Sequence, residues 1–340
     1  MPQKRKQYLW LPYTSCIKEG GKELFVKYKG GEIEIEWKKI HSIMFYGNSI
    51  DFSQKFLEKC AFYKIPIVVH RRHMPRAVFV CPTLSADYEK ILIKQISFHE
   101  NEKKKAYLAK RLISSKLKSM EWLVKQKFDP LYKATNIDSM IQKEALHAKI
   151  YWKKYYQLLE MKGGRRNSSG KNLVKQCLDA VSKFISGILL RWILYHNLNP
   201  YYGFVHKPTN YPALVYDLME PYRGYIEKVV FDVFSEMKNE EKINSKEFIL
   251  GYTIEKIKDF LDQEIYVEAT RQIVTFQELF HGIVLALRVY LLGETKRFVV
   301  PMPSHPNGGR PIKAGYHLYG HFAGKTDFWK KAKSLSPSFS

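Results

Sequence analysis

The stretch HKPTNYPALVYDLMEPYRG, His206 to Gly224, sets one histidine and two carboxylates, Asp217 and Glu220, in an otherwise apolar and aromatic run. Three residues apart, the two acids share one face of a helix. Like charges held close disfavour ionisation of both, and a divalent cation removes the conflict. A third acid, Glu144, lies in EALHAKIYWKKYYQLL, where Glu144, Ala148, Tyr151, Tyr155 and Leu158 form one helical stripe. An ionised glutamate on a face that turns inward is costly unless paired. Histidine nitrogen with carboxylate oxygens suits Mn²⁺ and can serve Mg²⁺. A cation held this way can polarise a phosphodiester and stabilise the attacking and leaving oxygens. Each residue alone has a plainer reading: Glu144 as an edge residue or arginine partner, His206 as a satisfied core or surface histidine. Their combination is what points to a metal.

Charge sharpens that reading. The 340-residue chain carries a formal net charge of +23 with 45% apolar residues, so it has a core and calls for an anionic partner. Nucleic acid comes first and an anionic membrane surface second. The excess is uneven: residues 231–300 are net negative and all other segments net positive, so the partner is expected to avoid 231–300. There is no run of about 18 apolar residues, and the basic start lacks the apolar core of a secretory signal. Cys16, Cys60, Cys81 and Cys177 are scattered without a CxxC pair, which reads as reduced thiols in a cytoplasmic protein.

The elements that must position these residues change character along the chain. KELFVKYKGGEIEIEW is two alternating runs joined at Gly30-Gly31, a hairpin signature. HSIMFYG, IPIVVH and AVFVC read as short strands, with a helix over SIDFSQKFLEKCAFYK. From Pro82 to about residue 298 the period is helical. Ala106, Ala109, Ile113, Leu117, Met120 and Val124 mark one apolar face of a helix whose other face is lysine-rich. The fold class expected is α+β: a small N-terminal β domain (1–88), a larger all-α catalytic domain (89–300), and a basic flexible tail (301–340). GGRRNSSGKN, with Arg165, Arg166 and Lys171, is either a flexible linker or a loop that wraps a phosphate backbone. Lys175 and Arg223 join these as DNA-contact candidates.

Three blocks, EALHAKIYW, NLNPYYGFVH and ALVYDLMEPYRG, together with IHSIMFYGNSIDFSQKFLEKCAFYKIPIVVH near the start, resemble the CRISPR-associated Cas1 family over roughly residues 10–290. The resemblance implies Glu144, His206 and Glu220 as metal ligands for Mg²⁺ or Mn²⁺, with Asp217 as a further acid near the metal, in support of Glu220. It also implies a homodimer that assembles with the small Cas2 protein. The implied reaction is attack of a DNA fragment's 3′-OH on a repeat phosphodiester, and the same site cuts double-stranded or branched DNA with water. Two positions depart from the family: Lys175 stands where an asparagine is usual, and Ser182-Lys183 where a tyrosine is common.

Two other readings compete. One is a non-catalytic nucleic-acid binder. The other is a di-iron carboxylate bundle, since Glu144-x-x-His147 and Glu278-x-x-His281 are both Glu-x-x-His pairs. The latter leaves the charge, the β-rich start and His206 without a role.

Overall fold

The computed structural model describes residues 6–48, 50–71, 77–81, 88–131, 136–161, 173–206, 211–237, 246–304 and 314–322. An N-terminal β-rich region precedes a mostly helical one.

The first region holds β1 (Gln7–Pro12), β2 (Cys16–Glu19), β3 (Glu23–Tyr28), β4 (Gly31–Glu36), β5 (Ile40–Tyr46), α1 (Gln54–Phe62), β6 (Ile67–His70) and β7 (Val78–Val80). β2, β3 and β4 form an antiparallel sheet whose hairpin closes at Gly31, at φ +131°, a conformation that suits glycine. A second sheet runs β1-β5-β6-β7, with β1, β5 and β6 parallel and α1 as the crossover between β5 and β6. Every residue of β5 is buried because both faces of this sheet are covered. Leu9, Leu11, Ile43 and Phe45 face a small core with Leu24, Val26, Trp37 and Phe56. Trp10, Met44 and Tyr46 alternate to the other face and join the large core of the helices.

The second region begins with α2 (Tyr88–Glu100), α3 (Glu102–Val124), α4 (Ile137–Leu158) and α5 (Leu173–Tyr195). Asn101 caps α3, accepting from the Lys104 amide, and Asn136 with Ser139 forms a capping box on α4. The apolar face expected of α3 is the buried one, except that Ala106 is half-buried. On α4 the inward stripe ends differently. Leu158 is exposed and Leu159 is buried, because the helix stops there and the chain turns. α5 is buried nearly all round and packs on β5, β6 and the helices that follow. The buried Arg191 guanidinium fastens α5 to the β region, donating from Nη1 to the carbonyls of His41 (2.9 Å) and Lys64 (2.7 Å).

After α5 come α6 (Ala213–Met219), a 3-10 turn (Glu220–Tyr222), α7 (Arg223–Met237), α8 (Lys246–Asp262), β8 (Glu264–Val267), β9 (Gln272–Thr275), α9 (Phe276–Leu291) and β10 (His321–Phe322). At Gly224 a Cβ would overlap the Ser119 carbonyl, so glycine is what lets α7 lie against α3.

Two features of this half lie beyond what periodicity predicts. A short β pair joins the helices: EIYV and QIVT carry β-branched residues and pair antiparallel, with Arg271 at φ 55° in the connecting turn. The stretch 314–322, within the segment read as a flexible tail, is packed. Ala314, Tyr316 and Leu318 are buried, Tyr316 donates to the Val299 carbonyl (2.7 Å), and the Gln272 amide clasps the main chain of Leu318. Among the described residues no helix is long and apolar enough to cross a membrane.

Candidate functional site

Glu144 projects from α4, Glu220 opens the 3-10 turn after α6, and His206 lies within the segment between α5 and α6. A residue that sequence reasoning did not single out joins two of them. Lys116 of α3 places Nζ 2.7 Å from Glu144 Oε1 and in contact with Glu220 Oε2. Its signal was available: Lys116 has Leu112, Ile113 and Met120 at helical spacing, all buried. A lysine in such a frame is turned inward.

Burial works against the charge on Lys116, but Glu220 and then Glu144 outweigh it and raise its pKa above the ordinary lysine value. For Glu220 burial favours the neutral acid, yet Lys116, Arg223 and His206 prevail and bring it down to about 2. Arg223 lies one turn on, its Nε 3.5 Å from Glu220 Oε1 and its Nη1 3.5 Å from Ser182 Oγ. Its guanidinium is therefore engaged with the acid cluster. Of the other DNA-contact candidates, Lys175 is on α5, while Arg165, Arg166 and Lys171 lie outside the described residues.

Asp217 does something other than support Glu220. It is fully buried and gathers four donors: the amides of Phe204, Val205 (2.9 Å) and His206 (3.1 Å), and His206 Nδ1 (2.6 Å). Gly203 leaves room for this, because a Cβ there would press on Asp217 Oδ2. Burial opposes charge on His206, but the hydrogen bond and charge of Asp217, with Glu220 behind, raise its pKa. With Nδ1–H given to Asp217, a neutral His206 keeps its lone pair on Nε2, on a ring about one-third exposed. A carboxylate holding the far nitrogen of an imidazole is the usual second layer of a metal-binding histidine.

Among the described residues no three His, Cys, Asp or Glu side chains converge as they stand to ligate an ion. The Lys116 ammonium takes the ground between Glu144 and Glu220 and supplies the positive charge there. Glu220 Oε2 is buried against that ammonium. As a donor set, two carboxylates on neighbouring elements and a histidine whose far nitrogen Asp217 holds fit a Mg²⁺- or Mn²⁺-type ion.

The two Glu-x-x-His pairs separate. Glu144 faces Lys116, while His281 stacks on Trp192 (3.8 Å) and Tyr319 and meets His196 Nε2 at 2.8 Å. Of the two departures from the family pattern, Ser182-Lys183 borders the third block. Ser182 touches Met219 and Arg223, and Lys183 Nζ donates to the Tyr216 hydroxyl at 2.6 Å.

A family described as CRISPR associated protein Cas1 matches residues 10–253. The chain is 25% identical over 266 residues to a CRISPR-associated endonuclease Cas1 of Saccharolobus solfataricus, covering 70% of this chain and 72% of that one. Its fold is shared with a casposase bound to integration product (TM-score 0.75, 16% identity, 97% of this chain and 99% of that one). It is also shared with a CAS1 protein from Thermotoga maritima (TM-score 0.70, 17% identity, 87% and 99%). Part of a chain in a Cas6-RT-Cas1–Cas2 complex shares it too (TM-score 0.69, 15% identity, 88% of this chain and 36% of that one).

Proposed function

Since this chain belongs to the CRISPR-associated Cas1 family, we propose that it is a metal-dependent DNA endonuclease and integrase that joins the 3′-OH of short DNA fragments to repeat phosphodiesters. One observation carries this most: Glu144 and Glu220 meet at a single cationic point, beside a histidine whose tautomer a buried aspartate sets. In the joining reaction one P–O bond forms to the fragment's 3′ oxygen and one P–O bond of the repeat strand breaks. The proton leaving the attacking hydroxyl is balanced by the one gained by the departing oxygen. With water as the attacking group the same exchange is hydrolysis.

Glu144, Glu220 and His206 Nε2 are the groups that would hold the ion, and Asp217 is a positioning residue for His206. A divalent cation there supplies charge stabilisation to the phosphate under attack. Arg223 steadies Glu220, and Lys116 neutralises both acids. The basic loop with Arg165, Arg166 and Lys171, and Lys175 on the helix after it, would take the DNA backbone. The casposase relative is bound to an integration product, which supports a joining activity. A homodimer, and assembly with Cas2 as in the complex that shares the fold, belong to the same reading.

The test is Mn²⁺- or Mg²⁺-dependent joining and cleavage on a repeat-containing plasmid. Glu144→Ala, His206→Ala and Glu220→Ala should each abolish both products while leaving salt-sensitive DNA binding in place. Full activity in all three variants would refute the site, and salt-independent binding would refute the electrostatic part.

A further inference from the structure

His206 ends the block NLNPYYGFVH, residues 197–206, which lies in neither helix nor strand. A loop that must deliver an imidazole to one place needs support from outside itself. Asp217 grips its end from α6. Its beginning and middle are gripped by α2, a helix that carries none of the acids or cations of the candidate site.

Gln95 and His99 stand one turn apart on α2 and share a face. Gln95 is fully buried, and its Nε2 donates to the carbonyls of Asn199 and Tyr202, each at 2.8 Å. Its Oε1 accepts from the Asn199 amide at 2.8 Å. Both N–H groups of the side-chain amide are thus spent on this loop. His99 Nδ1 meets the Gly203 carbonyl at 2.6 Å, and because a carbonyl only accepts, Nδ1 carries the proton. The His99 ring is mostly buried and set edge-on to Tyr202 (5.7 Å, 77°).

The clasp passes directly into the Asp217 network. Gly203, held by His99, is followed by Phe204, Val205 and His206, whose amides turn to Asp217. On the α6 side the Pro200 carbonyl also accepts from the Leu214 amide at 2.9 Å. The loop is therefore pinned by α2 at 199, 202 and 203, and by α6 at 200 and 204–206. A slide along either helix would break the pins on the other.

Resting on the metal-dependent reading above, we propose that Gln95 and His99 are positioning residues for His206. They hold the loop so that Asp217 receives the three amides and the ring together, and Nε2 stays in one place for the ion. A ligand held beforehand in its binding geometry loses little freedom when the ion arrives. The role belongs to metal affinity, since neither side chain touches a reacting atom. The fold supplies a matched comparison. Gln272 is also buried and clasps the Leu318 main chain in the same way, Nε2 to the carbonyl and Oε1 from the amide, each at 2.9 Å. That clasp holds a segment with no residue of the candidate site.

The experiment measures Mn²⁺ binding to the full chain without DNA, from the electron paramagnetic resonance signal of free Mn²⁺, with thermal melting in chelator alongside. Gln95→Met and His99→Leu should each weaken Mn²⁺ binding about tenfold, the lower end of the effect of an outer partner. His99→Asn, whose amide nitrogen stands where Nδ1 stood, should restore most of it. Gln272→Met should lower the melting temperature as Gln95→Met does, yet bind Mn²⁺ as the wild-type protein does. In an Asp217→Asn background Gln95→Met should weaken binding by less than about twofold more, because the relay is already cut. Wild-type affinity in both Gln95→Met and His99→Leu would overturn the proposal. So would an equal loss in Gln272→Met, or full additivity with Asp217→Asn. If Gln95→Met does not fold, the His99→Leu and His99→Asn pair decides the matter. If His206→Ala bound Mn²⁺ as well as the wild-type protein, the metal-dependent reading would fall and this proposal with it. Loss in His206→Ala with none in the α2 variants would sink the proposal and leave that reading standing.

Discussion

Lys116 and Glu144, on neighbouring helices α3 and α4, are joined by a 2.7 Å ion pair, and the same ammonium touches Glu220. This lysine does electrostatically what a divalent cation would do. It keeps two carboxylates ionised in a buried place. Removing one member of a buried charge cluster leaves the others uncompensated, which typically costs about 3–5 kcal/mol.

Lys116→Met should therefore lower the melting temperature in chelator and gain more from Mn²⁺ than the wild-type protein does. Differential scanning fluorimetry across a Mn²⁺ titration reads both effects. Equal Mn²⁺-induced shifts in the two proteins would show that the ammonium and the ion do not contend for the same acids.

Asp217→Asn keeps the shape but removes the charge that holds Nδ1–H of His206 and three backbone amides. Loss of such an outer partner typically weakens metal affinity about 10–100-fold. The Mn²⁺ concentration for half-maximal cleavage should rise by that order, with a lesser change in the rate at saturating metal. A change confined to the saturated rate would place Asp217 in the chemistry itself.

Acid should destabilise the protein through histidines remote from the acids. Burial, with His281 and Arg288 adding, holds His196 down at about 3, and burial with Arg191, Lys6 and His281 holds His41 well below its ordinary value. Both are neutral in the fold, while the unfolded chain protonates them near pH 6.5. Their stabilisation is complete above pH 6.5 and is lost as pH falls from there, for His196 down to about 3, at about 1.4 kcal/mol per pH unit for each group. His196→Gln should flatten the decline in urea midpoint between pH 6.5 and 4. An unchanged slope would show that His196 does not titrate this way.

Tyr151 and Glu227 tie α4 to α7 through a buried 2.5 Å hydrogen bond, and Tyr155 adds a bond to the Glu227 carbonyl at 3.0 Å. A charged hydrogen bond of this kind is worth about 1.5–3 kcal/mol. A double-mutant cycle of Tyr151→Phe and Glu227→Gln should give a coupling energy of that order by urea denaturation. Each single variant should also slow cleavage, because α4 carries Glu144. A coupling near zero would mean the contact contributes no stability.

Much of the framework was legible because its causes are local. Alternation around Gly30-Gly31 is the β3–β4 hairpin, and the spacing of Ala109, Ile113, Leu117, Met120 and Val124 is the buried face of α3. Each depends on which side of its own element a residue falls. The β8–β9 pair was hidden by the helical rhythm on either side, and two four-residue strands are too short to interrupt it. The three blocks were enough to nominate Glu144, His206 and Glu220, because residue types at fixed spacing within a block survive without knowledge of the fold.

What surrounds those residues was decided in three dimensions. Helical spacing turns Lys116 inward, but sequence order cannot reveal that it meets Glu144 and Glu220 there. Nor can it show that Asp217, three residues before Glu220, looks back to His206 and away from its neighbour acid. The support of His206 depends likewise on Gln95 and His99 of α2 meeting a loop about a hundred residues further along the chain. Periodicity is set by residues within one turn or one pleat. Charge pairs, tautomers and loop clasps are set by segments distant in the chain, and the geometry that makes them chemistry exists only once the helices have packed.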